Sequence, residues 1–294
     1  MPELQLLPPQ GGVFFSEQDH KYFFCGQRII EVPSSSRIIQ LSGGKDFPKE
    51  QWRKSLERKG LSGMGADYFM ERVREIRAAI GTEAHALISC DLGIADESTK
   101  AAFSEEAEKI VEQWRCYVHS RIGKVHVIES PMIHPGGCYG FTPDLIAEID
   151  GVLTLCDWKS NQAKDHVDRY QALVDYAPGD QILAEICGHL SKADTEARKR
   201  PRETAHVRDG WQMQQGSYAF GVEAVHGLRV ERGINFMLSV DGVREHQWNR
   251  PDLERGWLQF AGGLLLHHHR AALGGADPVF GAALNALRPL MHGQ

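Results

Sequence analysis

Apolar positions between residues 104 and 120 recur at Ala107, Ile110, Val111, Trp114 and Val118, the spacing of a helix with one buried face. Ser104, ahead of Glu105 and Glu106, is placed to cap it. Upstream, residues 13–32 predict two short strands joined near Cys25-Gly26, ended by Pro33, with Ser34 to Ser36 able to start a helix. A helical pattern rich in Arg and Lys follows from about Gln51 to Cys90, interrupted by Gly60, Gly63 and Gly65. Downstream come a strand around Lys124 to His134, a turn containing Gly136, Gly137 and Gly140, and two strands separated by Asp150-Gly151. Residues 161–210 have the least legible pattern and predict an inserted loop or subdomain, with a basic run containing Lys199, Arg200, Arg202 and Arg208. Trp211 to Val225 predicts a helix, Arg232 to Val240 and Val243 to Trp248 a hairpin turned at Asp241-Gly242, and Pro251 to about Ala272 a last helix.

The Asp150-Gly151 step carries the most information. Asp-Gly favours a two-residue turn with both residues at positive φ, so Asp144 to Ile149 and Val152 to Lys159 should pair antiparallel. If Ile149 faces Val152, Asp144 falls directly opposite Asp157. Opposed residues have Cβ atoms ~5 Å apart, and two carboxylates there are destabilising unless something neutralises them. Lys159 projects from the same face as Asp157, two positions on. Leu145, Ile146, Ala147, Ile149, Val152, Leu153, Leu155 and Cys156 make the strands apolar on both faces, as in the middle of a sheet. For an arbitrary hairpin the plainer interpretation is that Asp144 is a turn residue after Pro143 and that Asp157 and Lys159 mark a solvated strand end. The opposed register, the Asp-x-Lys spacing and the apolar interior favour a cation site.

Composition narrows the class. With 42% hydrophobic and 24% charged residues over 294, the chain can bury a large core. No apolar run reaches the ~20 residues of a spanning helix, and Met-Pro-Glu-Leu-Gln lacks the layout of a signal peptide, so a cytoplasmic protein without membrane contact is expected. The six cysteines stand singly, with no Cys-x-x-Cys pair. A formal charge of -6 argues against electrostatic coating of nucleic acid, though not against a locally basic groove. There is no internal repeat and no phosphate loop, since Gly43-Gly44-Lys45 lacks the spacing; ATP is not an expected cofactor.

Thr142-Pro143-Asp144 and Asp157-Trp158-Lys159 resemble the two core motifs of the PD-(D/E)XK nucleases, in particular the RecB-like branch that includes many phage exonucleases. Gly81-Thr82-Glu83-Ala84-His85 is similar to the branch's Gly-x-x-x-His motif, and Gln214-x-x-x-Tyr218 to its Gln-x-x-x-Tyr motif, in the same order along the chain. The resemblance spans about residues 80–220, and His20-x-Tyr22 followed by Pro33-Ser34 also looks like phage members. It departs in the long segment between Lys159 and Gln214. The resemblance implies an α/β, restriction-endonuclease-like core: a mixed central sheet flanked by helices that bring His85 and Gln214 to one edge. The chain would be one nuclease domain over 1–294. Its parts would be an N-terminal region of about 1–80, a catalytic core of about 81–250 with an insertion at about 161–210, and a C-terminal helix of about 251–275.

By the same resemblance, Asp144, Asp157 and Lys159 would be catalytic. His85, Asp144, Asp157 and the backbone carbonyl of Trp158 would hold Mg²⁺, for which Mn²⁺ would substitute. Lys159 would orient or deprotonate the attacking water and offset charge on the phosphate. Gln214 and Tyr218, at i and i+4 on a helix, would contact the DNA backbone or brace the site. Glu83 competes with His85, but positions two apart on a helix point ~200° from each other, and His85 is preferred. Glu148 is read as structural. Arg72, Arg74 and Arg77, like the basic run at 199–208, could hold phosphates or simply be solvated charge. Trp52, Tyr68 and Trp211 could stack on bases or pack in the core. Some relatives carry an iron–sulfur cluster on one early and several late cysteines; nothing after Cys187 is cysteine, so none is expected.

The expected activity is Mg²⁺-dependent DNA exonuclease action in recombination, repair or phage genome processing, with a single-strand-annealing or recombination protein as the kind of partner the resemblance suggests. A structure-specific or restriction-type endonuclease, and a DNA-binding protein that kept the fold without catalysis, are the alternatives.

Overall fold

The computed structural model describes residues 2–16, 19, 21–25, 29–42, 49–94, 103–135, 139–160, 166–196 and 209–273. The 199–208 basic run, His20, Gly136 and Gly137 lie outside these residues. The protein is α/β, with a mixed six-stranded sheet flanked by helices. Its strands are β1 (Glu3–Leu4), β5 (Ile122–Ile128), β8 (Leu145–Ile149), β9 (Val152–Ser160), β10 (Arg232–Ser239) and β11 (Gly242–Asn249), side by side in that order. The β1–β5 and β9–β10 pairs are parallel and the others antiparallel. The expected hairpin therefore occupies the middle of the sheet.

Alternation along β8 and β9 sends side chains to two different layers. Leu145, Ala147, Ile149, Cys156 and Trp158 join a core with α3 (Gly63–Asp91) and α4 (Glu105–Tyr117). Ile146 and Leu155 join a second core with α1 (Ser35–Leu41), α7 (Asp209–His226) and α8 (Arg250–Leu273). Ser34 and Ser104 cap their helices as expected and Ser62 does the same, each accepting a backbone N–H three residues on. Gly60, at φ +90°, separates α2 (Lys49–Arg58) from α3.

Several expectations change. Residues 13–32 form three strands rather than two: β2 (Val13–Ser16), β3 (Lys21–Cys25) and β4 (Ile29–Val32), a small antiparallel sheet. The strand expected over 124–134 is split into β5 and β6 (Met132–Ile133), which pairs with β7 (Gly140–Phe141); Glu129, at φ 44°, breaks it. The β10–β11 turn is Val240-Asp241, because Ser239 pairs with Gly242; the glycine, at φ +140°, opens the strand instead of completing the turn. In the 161–210 segment, α5 (His166–Tyr176) and α6 (Gln181–Glu196) send Tyr170, Leu173, Leu183, Ile186, Cys187 and Leu190 into the α3 core.

Helices α7 and α8 cross at two glycines. A Cβ on Gly216 would overlap the Trp257 backbone nitrogen, and one on Gly256 would overlap the Gln212 carbonyl. Backbone lies against backbone there, which fixes the height of α7 over the sheet.

Candidate functional site

The hairpin turn has Asp150 at φ 52° and Gly151 at φ 77°, both in the left-handed region that a type I′ turn requires. Ile149 pairs with Val152 and Leu145 with Cys156, which sets Asp144, one residue before β8, opposite Asp157. The third member of this row is Asn235, paired in parallel register with Asp157. Asp144, just ahead of β8, thus stands beside Asp157 on β9 and Asn235 on β10.

Asp157 is 2% exposed, and both of its oxygens are contacted. Lys159 Nζ lies 2.8 Å from its Oδ1 and 2.6 Å from its Oδ2, and Asn235 Nδ2 donates to Oδ2 at 2.7 Å. Lys159 also donates to Gln214 Oε1 at 3.3 Å, and Gln214 Nε2 donates to the Tyr218 hydroxyl at 3.1 Å. Tyr218 in turn hydrogen-bonds Ser35 at the start of α1. Gln214 and Tyr218 are both buried. In this geometry the glutamine–tyrosine pair braces the lysine from behind.

Asp144 Oδ2 accepts the Trp158 backbone N–H at 2.7 Å. His85, late in α3, reaches the same place because α3 lies close to the end of β9: a Cβ on Gly81 would be 3.3 Å from Ser160 Oγ. One turn later, His85 Nδ1 is 2.8 Å from Glu129 Oε1. Ligand atoms of His85, Glu129 and Asp144 all lie within 4.8 Å of one another. Glu129 sits at φ 44°, and its N–H ties it there by donating to the Asp144 carbonyl at 3.2 Å. Asp157 is outside this tight group but close enough for its charge to act on both His85 and Asp144.

The electrostatics are those of a site with excess negative charge. Loss of hydration pushes the Asp144 carboxyl up; His85 and Lys159 pull it down, and Asp157 adds to the rise. Burial disfavours a charged His85 ring, yet Asp144, Glu129 and Asp157 outweigh it and hold the histidine above its ordinary value. Carboxylate oxygens joined by one imidazole nitrogen suit a hard divalent cation such as Mg²⁺ or Mn²⁺. The residues present fit such an ion.

Sequence reasoning missed Glu129 and Asn235. Asn235 carried a signal, a lone amide in the apolar run Ile234 to Leu238. Glu129 carried none short of knowing where β5 breaks. Among the rival residues, Glu83 accepts from the Ser104 N–H, the Ser104 hydroxyl and the Tyr176 hydroxyl, so it ties α3 to α4 and α5. The candidate phosphate-binding arginines are paired within the fold: Arg72 with Glu75 and Asp180, Arg74 with Glu71, Arg77 with Glu106. Trp52, Tyr68 and Trp211 pack against the cores, and the Tyr68 hydroxyl donates to Asp180. Among the described residues no helix is long and apolar enough to cross a membrane. Neither protein-family models nor curated proteins give a match to this sequence.

Proposed function

We propose that this chain is a metal-dependent deoxyribonuclease with a restriction-endonuclease-like core of the PD-(D/E)XK type, acting as an exonuclease on DNA. The observation that carries the reading is the register: Asp144 and Asp157 are opposed on a central hairpin, with the Lys159 amine on Asp157 and the His85–Glu129 pair beside Asp144. Like charges in that arrangement are costly without a counter-ion.

Asp144, Asp157, His85 and Glu129 would hold Mg²⁺, with the Trp158 carbonyl as a further donor. When bound, the cation supplies neutralisation of the scissile phosphate and a more acidic water. The remaining chemistry belongs to the chain. Lys159 presents a cationic donor to the charge that builds on the phosphate, and it can orient the attacking water. Gln214, itself held by Tyr218, limits the positions this flexible amine can take. The Trp158 N–H keeps one Asp144 oxygen occupied and so sets which oxygen is free. Water attacks the phosphodiester directly, and no side chain forms a covalent intermediate.

The test is digestion of end-labelled linear single- and double-stranded DNA and of covalently closed circles, with Mg²⁺ or EDTA, by wild type and Lys159→Ala. The proposal expects Mg²⁺-dependent release of nucleotides from linear ends, intact circles, and loss of that release in the variant. Cut circles would indicate an endonuclease. Binding without cleavage in Mg²⁺ or Mn²⁺, unchanged by Asp157→Ala, would point to a non-catalytic DNA-binding protein.

A further inference from the structure

Asp157 is oriented from two sides by very different groups. On one side is Lys159, partly exposed, at the end of a flexible four-carbon stem. On the other is Asn235, fully buried on the neighbouring strand, donating to Oδ2 at 2.7 Å. An amide can sit either way round, and reversed it would set its oxygen against the carboxylate. Trp248 decides the matter. Its indole N–H, a donor with no acceptor capacity, reaches Asn235 Oδ1 at 2.6 Å and leaves only the NH₂ end to face Asp157. Trp248 is itself 8% exposed and packed in the second core, with the His246 ring edge-on at 4.3 Å.

We propose that Asn235, oriented by Trp248, is a positioning residue that locks the Asp157 carboxylate for divalent-cation binding, independently of Lys159. This rests on the metal-dependent reading of the site. The terminal torsion of an aspartate is soft, so an unanchored Asp157 would rotate once the lysine turns towards a phosphate. The Trp248–Asn235 pair prevents this from inside the sheet, where neither residue can reach substrate. Partners of this kind, one shell behind a metal ligand, typically change metal affinity 10- to 100-fold when lost.

The experiment measures Mn²⁺ binding directly, from the electron paramagnetic resonance signal of the free ion, with no DNA present and well below the melting temperature. Wild type, Asn235→Ala, Trp248→Phe, the double variant and Asp144→Asn are compared, each melted in EDTA to establish that it is folded. Asn235→Ala is expected to weaken Mn²⁺ binding on the order of 10-fold. Trp248→Phe, which keeps a flat ring in the core, should weaken it by less. In the double variant the tryptophan change should add nothing, because it acts through the asparagine. Should Asn235→Ala fail to fold, Trp248→Phe carries the test alone. Wild-type affinity in folded Asn235→Ala and Trp248→Phe would overturn the relay while leaving the metal site intact. A wild type that binds no Mn²⁺ would overturn both.

Discussion

The two ends of the central hairpin use similar residues to opposite effect. At the turn end, Asp150 and Glu245 share Arg121, each at 2.8 Å, and the guanidinium lies 5.3 Å above the Tyr117 ring. Arg232 closes the same end by donating to the Ile149 carbonyl at 2.6 Å. Two acids meet two arginines there, and Asp150 remains half-exposed. At the open end, Asp144, Asp157 and Glu129 meet one lysine and one histidine, with Asp157 almost wholly out of water. The first end is balanced and clamps the fold. The second holds more negative charge than its own cations offset, the condition under which a bound divalent ion stabilises most.

This contrast can be broken at several points. Lys159→Ala should lower the rate of DNA hydrolysis on the order of 10²- to 10³-fold, measured under single-turnover conditions. An unchanged rate would place the open end on the structural side of the comparison. Asp144→Asn should abolish both cleavage and the rise in melting temperature on adding Mg²⁺, yet raise the melting temperature in EDTA. It removes a poorly hydrated charge while keeping an acceptor for the Trp158 N–H. Gln214→Leu frees the lysine and should slow hydrolysis on the order of 10-fold with little change in Mn²⁺ affinity.

The cation-free protein should also report the imbalance through pH. His85 is raised from 6.5 to about 9 and Asp144 is raised as well, so the folded state favours the protonated form of both. The histidine's contribution is complete below pH 6.5 and is lost as pH climbs towards 9. The melting temperature in EDTA should therefore fall between pH 6 and 9, and the gain on adding Mg²⁺ should widen over the same range. A gain that stays flat with pH would show that these groups are not the ones the ion meets. The smallest effect belongs to the balanced end: Asp150→Asn keeps a residue that tolerates positive φ and should cost no more than about 1 kcal/mol, with cleavage unchanged.

The hairpin site was legible because its geometry is local. Asp150-Gly151 fixes the turn, the turn fixes the register, and the register places Asp144 against Asp157 without knowledge of any other strand. Asn235 could not be read in the same way. Its strand joins β9 in parallel, after a crossover through α5, α6 and α7, and no short-range signal sets that register. Glu129 depends on a strand break at its own position, where φ is 44°, and no local residue pattern announces that break. In α6, Leu183, Ile186, Cys187 and Leu190 do follow helical spacing, but the Pro-Gly break before them and the basic run after them obscured it. His85 and Gln214 were found by resemblance, and only the structure shows why they converge: Gly81 lets α3 approach the end of β9, and α7 lies over the lysine.

The Gly216–Gly256 crossing has a consequence well away from the hairpin. Gln214 sits half a turn before Gly216, so the perch of the Lys159 amine is tied to how closely two helices touch. One added methyl at position 216 would lever α7 outward and carry Gln214 with it. A lesion that never meets substrate or ion would then loosen the lysine, and inheritance at this crossing should tolerate hydrogen alone.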